Sequence, residues 1–453
     1  MAEPKVANYR LQQAMDAAGL SNKSLARAVV EASITRGRPV GTDHSRVAGW
    51  LAGATPRGDA AEALLEAFKR RTGRVYSPEE LGLSTVENIA ADLGLTYAKD
   101  LSQATQTVTD LARQDLAGHP DIVKGPYSSA GLYALCLDWL FGDTRDELPA
   151  GSAATVAVRA DELRTMTETF DSLDRRFGGE HHRQTAVRYL HEIVAPQLTQ
   201  LREGPAAREY LRQVAVLCEL IGWMAYDNAR HSAAQRYFSQ AVRFAHAAGD
   251  EAYASYAVAS MADQALFLGQ PQETLRLAQV ARSRTAVHLP SISLVEARVF
   301  EARAYAVMGD MGGVERALVE AERTFDQLTP DAVPEWASNW SPAVLSSHAA
   351  TCWADVGDTS RAAQLLGELW IDVQDQPRRR VYCAVQLSKV ALVDRDLDQS
   401  THFAALALES MPQTSSRRSW RVLTDQVGAL QRSAGAHPQV KELRDAVRLR
   451  QAS

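Results

Sequence analysis

The sequence predicts an all-α protein: a small helical N-terminal unit followed by a solenoid of helical hairpins. Three observations predict it. Helix formers dominate the 453 residues, and runs of β-branched and aromatic residues are scarce. Apolar residues recur three and four apart, as Val47, Trp50 and Leu51 do in "GTDHSRVAGWLAG". Small residues recur at fixed offsets through the C-terminal half. A chain of this length has room for two or three domains with cores large enough to need no staples. The division read from it is 1–83, a helical connector at 84–150, and a solenoid with capping helices at 151–453.

The N-terminal unit reads as four helices. "VANYRLQQAMDAAG" is amphipathic through Tyr9, Leu11 and Met15, and Gly19 is placed to stop it. "GLSNKSLARAVVEAS" opens with Ser21 as N-cap, with Leu20 and Leu25 spaced to staple across it. The third helix starts at Thr42 or Asp43 and closes at Gly53. Its Val47, Trp50 and Leu51 share one face, and small Ser45, Ala48 and Gly49 lie opposite. The fourth, "GDAAEALLEAFKRR", packs Leu64, Leu65 and Phe68 and ends in Lys69, Arg70 and Arg71, which suit a helix C-terminus.

A capped second helix followed by a third with an inward Trp resembles the Cro/repressor-type (XRE) helix-turn-helix family. The matching residues are "GLSNKSLARAV", then "VAGWLAG" and "TPRG". The connection between the two helices, about "SITRGRPVGT", is longer than the family's usual turn and is basic. Gly49 stands where many members carry a polar or basic residue. The resemblance implies binding of double-stranded DNA. Thr42, His44, Ser45 and Arg46 would then lie at the reading end of the third helix, facing base edges. Arg36 and Arg38 in the turn, and Arg57 after the helix, are candidate phosphate contacts. The ordinary alternative is an amphipathic helix whose flanking arginines are solvated.

From residue 205 onward five segments share one pattern. A first small position falls at Gly222, Ala262, Ala302, Ala350 and Ser388, spaced 40, 40, 48 and 38 residues apart. Twelve residues later come Ala234, Thr274, Val314, Ala362 and Ser400, and seven further Ala241, Ala281, Ala321, Leu369 and Ala407. Two antiparallel helices that cross closely and stack on the next pair need small residues at such offsets. The pattern resembles tetratricopeptide (TPR) repeats lengthened to about 40 residues. The 48-residue spacing contains "LTPDAVPEWASNWSP", whose three prolines mark a long loop. Residues 155–201 read as an atypical helix pair in front, and 415–450 as an amphipathic cap.

In TPR-like hairpins the first helices line a groove. Mapping from the small positions puts Trp223, Tyr226, Tyr256, Asp263, Glu296, Arg303, Ser347, Tyr382 and Lys389 there. Aromatic rings with mixed charges suit a peptide or protein segment. The competing view makes the rings gap-fillers between hairpins.

Catalytic chemistry is not indicated. No P-loop, G-x-G-x-x-G after a strand, or G-x-S-x-G elbow occurs, and His181, His182 and His191 lack the spacing for one helix to hold a metal. The expectation is no enzyme, no cofactor and no metal. The four cysteines are scattered, which fits a reducing cytoplasm, and no segment predicts a secretory signal or a membrane span. The net charge is −6, yet residues 1–83 hold 12 Lys/Arg against 9 Asp/Glu, leaving the remainder acidic.

The combination of an XRE-type unit, a helical connector and long TPR-like repeats resembles the actinobacterial helix-turn-helix/TPR regulators of the NsdA-like group. That resemblance implies a cytoplasmic transcriptional regulator, a repressor or pleiotropic regulator of differentiation or secondary metabolism. Its solenoid would form a homodimer and sense a peptide or partner. The alternative is a TPR-type interaction adaptor without sequence-specific DNA binding.

Overall fold

Asn8, Ser21 and Asp43 each start a helix in the same way, with a side-chain oxygen that accepts the amide proton three residues on. The computed structural model describes residues 8–54, 56, 59–74, 76, 80–83, 92–123, 125–142, 154–177, 179–284, 291–329, 333–337, 340–413 and 416–452. The three caps open α1 (Tyr9–Ala17), α2 (Asn22–Thr35) and α3 (His44–Leu51), and α4 (Asp59–Thr72) follows. Ser21 and Ser24 cap each other reciprocally, and Gly19 ends α1 at φ +62°, a conformation that costs glycine nothing. Leu11, Met15, Leu25, Val29, Val47, Trp50, Leu64 and Phe68 meet in one core. Helix α2 runs on through Thr35, so the connection to α3 is shorter than the sequence implied. Ser33 is buried there, and its hydroxyl accepts the Val40 amide at 3.0 Å, which pins the turn.

The chain divides into two units, residues 1–92 and 93–453. The second begins with α5 (Leu101–Leu116), α6 (Pro120–Val123), α7 (Ser129–Phe141) and α8 (Ala154–Phe177). Helix α9 (Gly179–Tyr189) passes through a π-helical turn, Leu190–Val194, into α10 (Ala195–Leu198). Five hairpins follow: α11 (Pro205–Asp227) with α12 (His231–Ala248), α13 (Glu251–Phe267) with α14 (Pro271–Arg284), α15 (Ile292–Met308) with α16 (Met311–Asp326), α17 (Pro342–Asp355) with α18 (Thr359–Asp372), and α19 (Pro377–Val393) with α20 (Leu397–Ser410). A sixth pair, α21 (Arg417–Ala434) and α22 (Pro438–Ala452), closes the series. Among the described residues there is no strand, and no helix is long and apolar enough to cross a membrane.

The recurring small positions are where paired helices cross. Gly222, Ala262, Ala302, Ala350 and Ser388 lie in the first helices, the other ten in the second helices, and all are buried. A Cβ on Gly222 would stand 2.6 Å from the Phe238 ring, so only glycine admits that ring. At the last crossing, Ser388 and Ser400 hydroxyls each donate to the other's carbonyl at 2.7 Å. Small residues thus bring backbones together, and hydroxyls supply the hydrogen bonds that burial demands.

Within the stretch read as a helical connector, 84–150, the described helices α5–α7 pack into the second unit's core. Asp115 of α5 and Arg183 of α9 form a buried ion pair at 2.5 Å, and the Tyr237 hydroxyl donates to the same carboxylate at 3.0 Å. Gln235 exchanges two hydrogen bonds with the Ser128 backbone, at 2.9 and 2.6 Å, and Arg243 Nε donates to the Ala98 carbonyl at 2.7 Å. Helices α5–α7 therefore cover α12.

The hairpins also curl back on themselves. Arg378 of α19 reaches Asp174 of α8 and Asp227 of α11, both at 3.4 Å. Arg418, in the first turn of α21, reaches Asp227 at 3.2 Å and Asp263 of α13 at 3.1 Å. The last hairpins are thereby fastened to the first.

Candidate functional site

Two places gather the side chains singled out by sequence. The first is the outer side of α3. Val47 and Trp50 are buried, whereas His44, Ser45, Arg46 and Ala48 are exposed. The Asp43 carboxylate takes the Arg46 amide at 2.8 Å, and the Arg46 guanidinium folds back onto the Gly41 carbonyl. Thr42 is half-buried, and its hydroxyl has no partner among the described residues. Both arginines of the turn are engaged within the unit, Arg36 by Glu62 and Arg38 by Asp59 at 3.1 Å. Arg57 lies outside the described residues.

The second place is an open cavity of about 1670 Å³ bordered by the curled hairpins. One face of each contributing helix lines it. Helix α11 supplies Val216, Glu219, Leu220, Trp223 and Asp227, spaced three and four apart, and α13 supplies Tyr253 and Tyr256. Helix α8 supplies Arg164, Asp171, Asp174 and Arg175, and α15 supplies Glu296. The loop before α17 adds Trp336 and Trp340, and the cluster Arg378, Arg379, Tyr382 and Arg418 closes the far side. Trp336 lies against Tyr253 and Tyr256, with ring centroids 4.9 and 4.7 Å away.

Four of the nine residues assigned to a groove line this cavity: Trp223, Tyr256, Glu296 and Tyr382. The other five do not. Tyr226 is 1% exposed and sits behind the Arg418 guanidinium, 4.6 Å from its ring centre. Asp263 is held by Arg418, and Lys389 pairs with Asp355. Arg303 approaches His348 Nδ1 at 3.4 Å, and Ser347 is exposed away from the cavity lining. Sequence reasoning missed Glu219, Tyr253, Trp336, Trp340, Arg378 and Arg418. Two tryptophans in a proline-rich insertion were a readable signal, because rings so placed need a surface to cover. Arg418 gave none, since its partners are brought to it by closure of the whole unit.

Most charges in the cavity are matched. Asp171 pairs with Arg175 at 2.8 Å, Glu209 with Arg164 at 2.9 Å, and Asp250 with Arg212 at 2.6 Å. Glu219 and Glu296 differ. Glu219 accepts from the Ser260 hydroxyl at 2.9 Å and from the Trp223 indole, both neutral donors. Burial pushes its carboxyl up to about 7, with Asp171 adding to the rise and these hydrogen bonds opposing it. Burial also pushes Glu296 well above the usual carboxylate range, reinforced by Asp263 and Glu219. Burial and the nearby Arg303 and Arg379 push His348 down to about 3, so its ring is neutral.

Residues 11–84 match the family described as SP15 N-terminal domain, a span that takes in α2, α3, α4 and most of α1. No curated protein and no solved structure matches the chain.

Proposed function

We propose that the protein is a DNA-binding transcriptional regulator, with residues 1–83 reading DNA and the TPR-like hairpins dimerising the chain and sensing a ligand. The observation that carries the reading is the division of α3. Its bulky side is spent on the core, while His44, Ser45, Arg46 and the small Ala48 leave an outer surface on which a backbone can approach a groove closely. One such unit reads a half-site, so useful specificity calls for two units at fixed spacing. A second reading, an interaction adaptor, is favoured by one observation: Arg36 and Arg38 are already neutralised by Glu62 and Asp59.

Enrichment of genomic fragments on the purified full-length protein separates the two. The regulator reading expects selected fragments to be retained over random DNA, with affinity falling steeply as salt rises. Arg46→Ala and His44→Ala are expected to weaken that binding by about 1–3 kcal/mol per base contact with unchanged melting. Trp50→Ala should instead destabilise the unit by about 3–5 kcal/mol. Equal retention of selected and random DNA makes the protein an adaptor, and light scattering showing a monomer removes the dimer.

A further inference from the structure

We propose that the cavity binds an organic cation, its ammonium or guanidinium group seated between Glu219 and Glu296 against the rings of Tyr253, Tyr256 and Trp336. The proposal deepens the sensing part of the reading above and rests on it only for any effect on DNA.

The argument begins with the unmatched carboxyls. Glu296 is 6% exposed, lines the cavity, and its Oε2 has no hydrogen-bond partner among the described residues. Glu219 is 8% exposed and is met only by neutral donors. Neither forms an ion pair there, although the neighbouring Asp171, Asp174, Glu209, Asp227 and Asp250 all do. A carboxyl withdrawn from water without a counter-charge keeps its proton, and two such groups lining one space offer a cation a pair of sites that it can ionise and pair with.

The rings argue for the same ligand class independently. Trp336 packs against both tyrosines, so three aromatic rings line the cavity together with the carboxyls, and aromatic rings attract cations through their quadrupole. Ser260 fixes the Glu219 carboxylate from α13, one turn beyond Tyr256, so the carboxyl and the ring wall hold a constant spacing. The cation site is thus assembled from α11, α13, α15 and the inserted loop. Arg379 also lines the cavity and gives an acidic group elsewhere on the same ligand a place to sit. About 1670 Å³ exceeds what a bare ammonium ion fills, so the cation carries an extended body.

Titration calorimetry of the full chain with agmatine, spermidine, tetramethylammonium and a terminally blocked Gly-Arg-Gly peptide tests this. Saturable binding of at least one probe is expected, weakened at least about tenfold by Glu296→Gln or Glu219→Gln. Trp336→Leu, a change in the partly exposed loop, should weaken it as well, and keeps the test sound if a glutamine variant fails to fold. Binding by the free amines assigns a small metabolite as the source, and binding by the peptide alone assigns an arginine side chain. No heat from any probe at millimolar concentration overturns the proposal, as does affinity unchanged in all three variants. Cation binding that leaves DNA affinity unaltered would uphold the site and remove the sensing role.

Discussion

Glu219 shows what a single buried carboxyl implies for the apo protein. Its proton is held up to about 7 because burial disfavours the charged form, whereas an unfolded glutamate releases it near 4.5. The folded chain therefore binds this proton more tightly than the unfolded chain. Stability from this group is complete below about pH 4.5, falls as pH rises toward 7, and is flat above it. The span corresponds to about 3 kcal/mol. Glu219→Gln is expected to flatten that part of the profile and to raise the melting temperature at pH 8 while changing little at pH 4. Thermal melts at the two pH values check it; an equal shift at both would mean that the carboxyl binds its proton no more tightly in the folded chain than in the unfolded one. A bound cation should act in the same direction at pH 8, because it supplies the missing charge.

At the scale of elements, the hairpins owe their geometry to residues with little or no side chain. Gly222 gives up its side chain so that Phe238 can enter the α11–α12 crossing. Gly222→Ala places a methyl carbon 2.6 Å from ring atoms, and the ring is enclosed and cannot swing aside. We expect a loss of about 1–3 kcal/mol from overpacking. Gly367, on α18, offers a control, since a Cβ there meets nothing within 4 Å. Gly367→Ala should be neutral or stabilising by up to about 1 kcal/mol, as alanine is the better helix former. Denaturant melts of both variants read the difference, and similar losses would refute the crossing argument.

For the second unit as a whole, Arg418 is the fastening. Its guanidinium joins Asp227 and Asp263 and lies over Trp223, Tyr226 and Tyr382. The cost of desolvating it is met by two carboxylates and three ring faces at once. Arg418→Ala leaves Asp227 short of one counter-charge, although Arg378 remains at 3.4 Å. The expected result is a loss of about 3–5 kcal/mol and an opening of the hairpin series. Small-angle scattering should record the opening as a larger radius of gyration, together with loss of whatever binding the cavity supports. An unchanged radius would show that hydrophobic packing alone holds the curl.

Much of the fold was legible because its causes are local. The cap at Ser21, the start of α3 at Thr42 or Asp43, the 3.6-residue periodicity of α2–α4, and the twelve- and seven-residue offsets of the hairpins each depend on residues within one or two helices. The sequence by itself thus determined the all-helical class, the recurrence of the five hairpins and the inward face of α3. It also placed Trp223, Tyr256, Glu296 and Tyr382 on the first helices that border the cavity. Only the tertiary structure decided that Tyr226 lies behind Arg418, that α5–α7 belong to the second unit's core, and that Glu219 and Trp336 line one cavity. The reason is distance along the chain. A helix face is set by neighbours three and four residues away, whereas the curl that brings Arg418 to Asp227 adds up small rotations over five hairpins, and no single spacing records that sum.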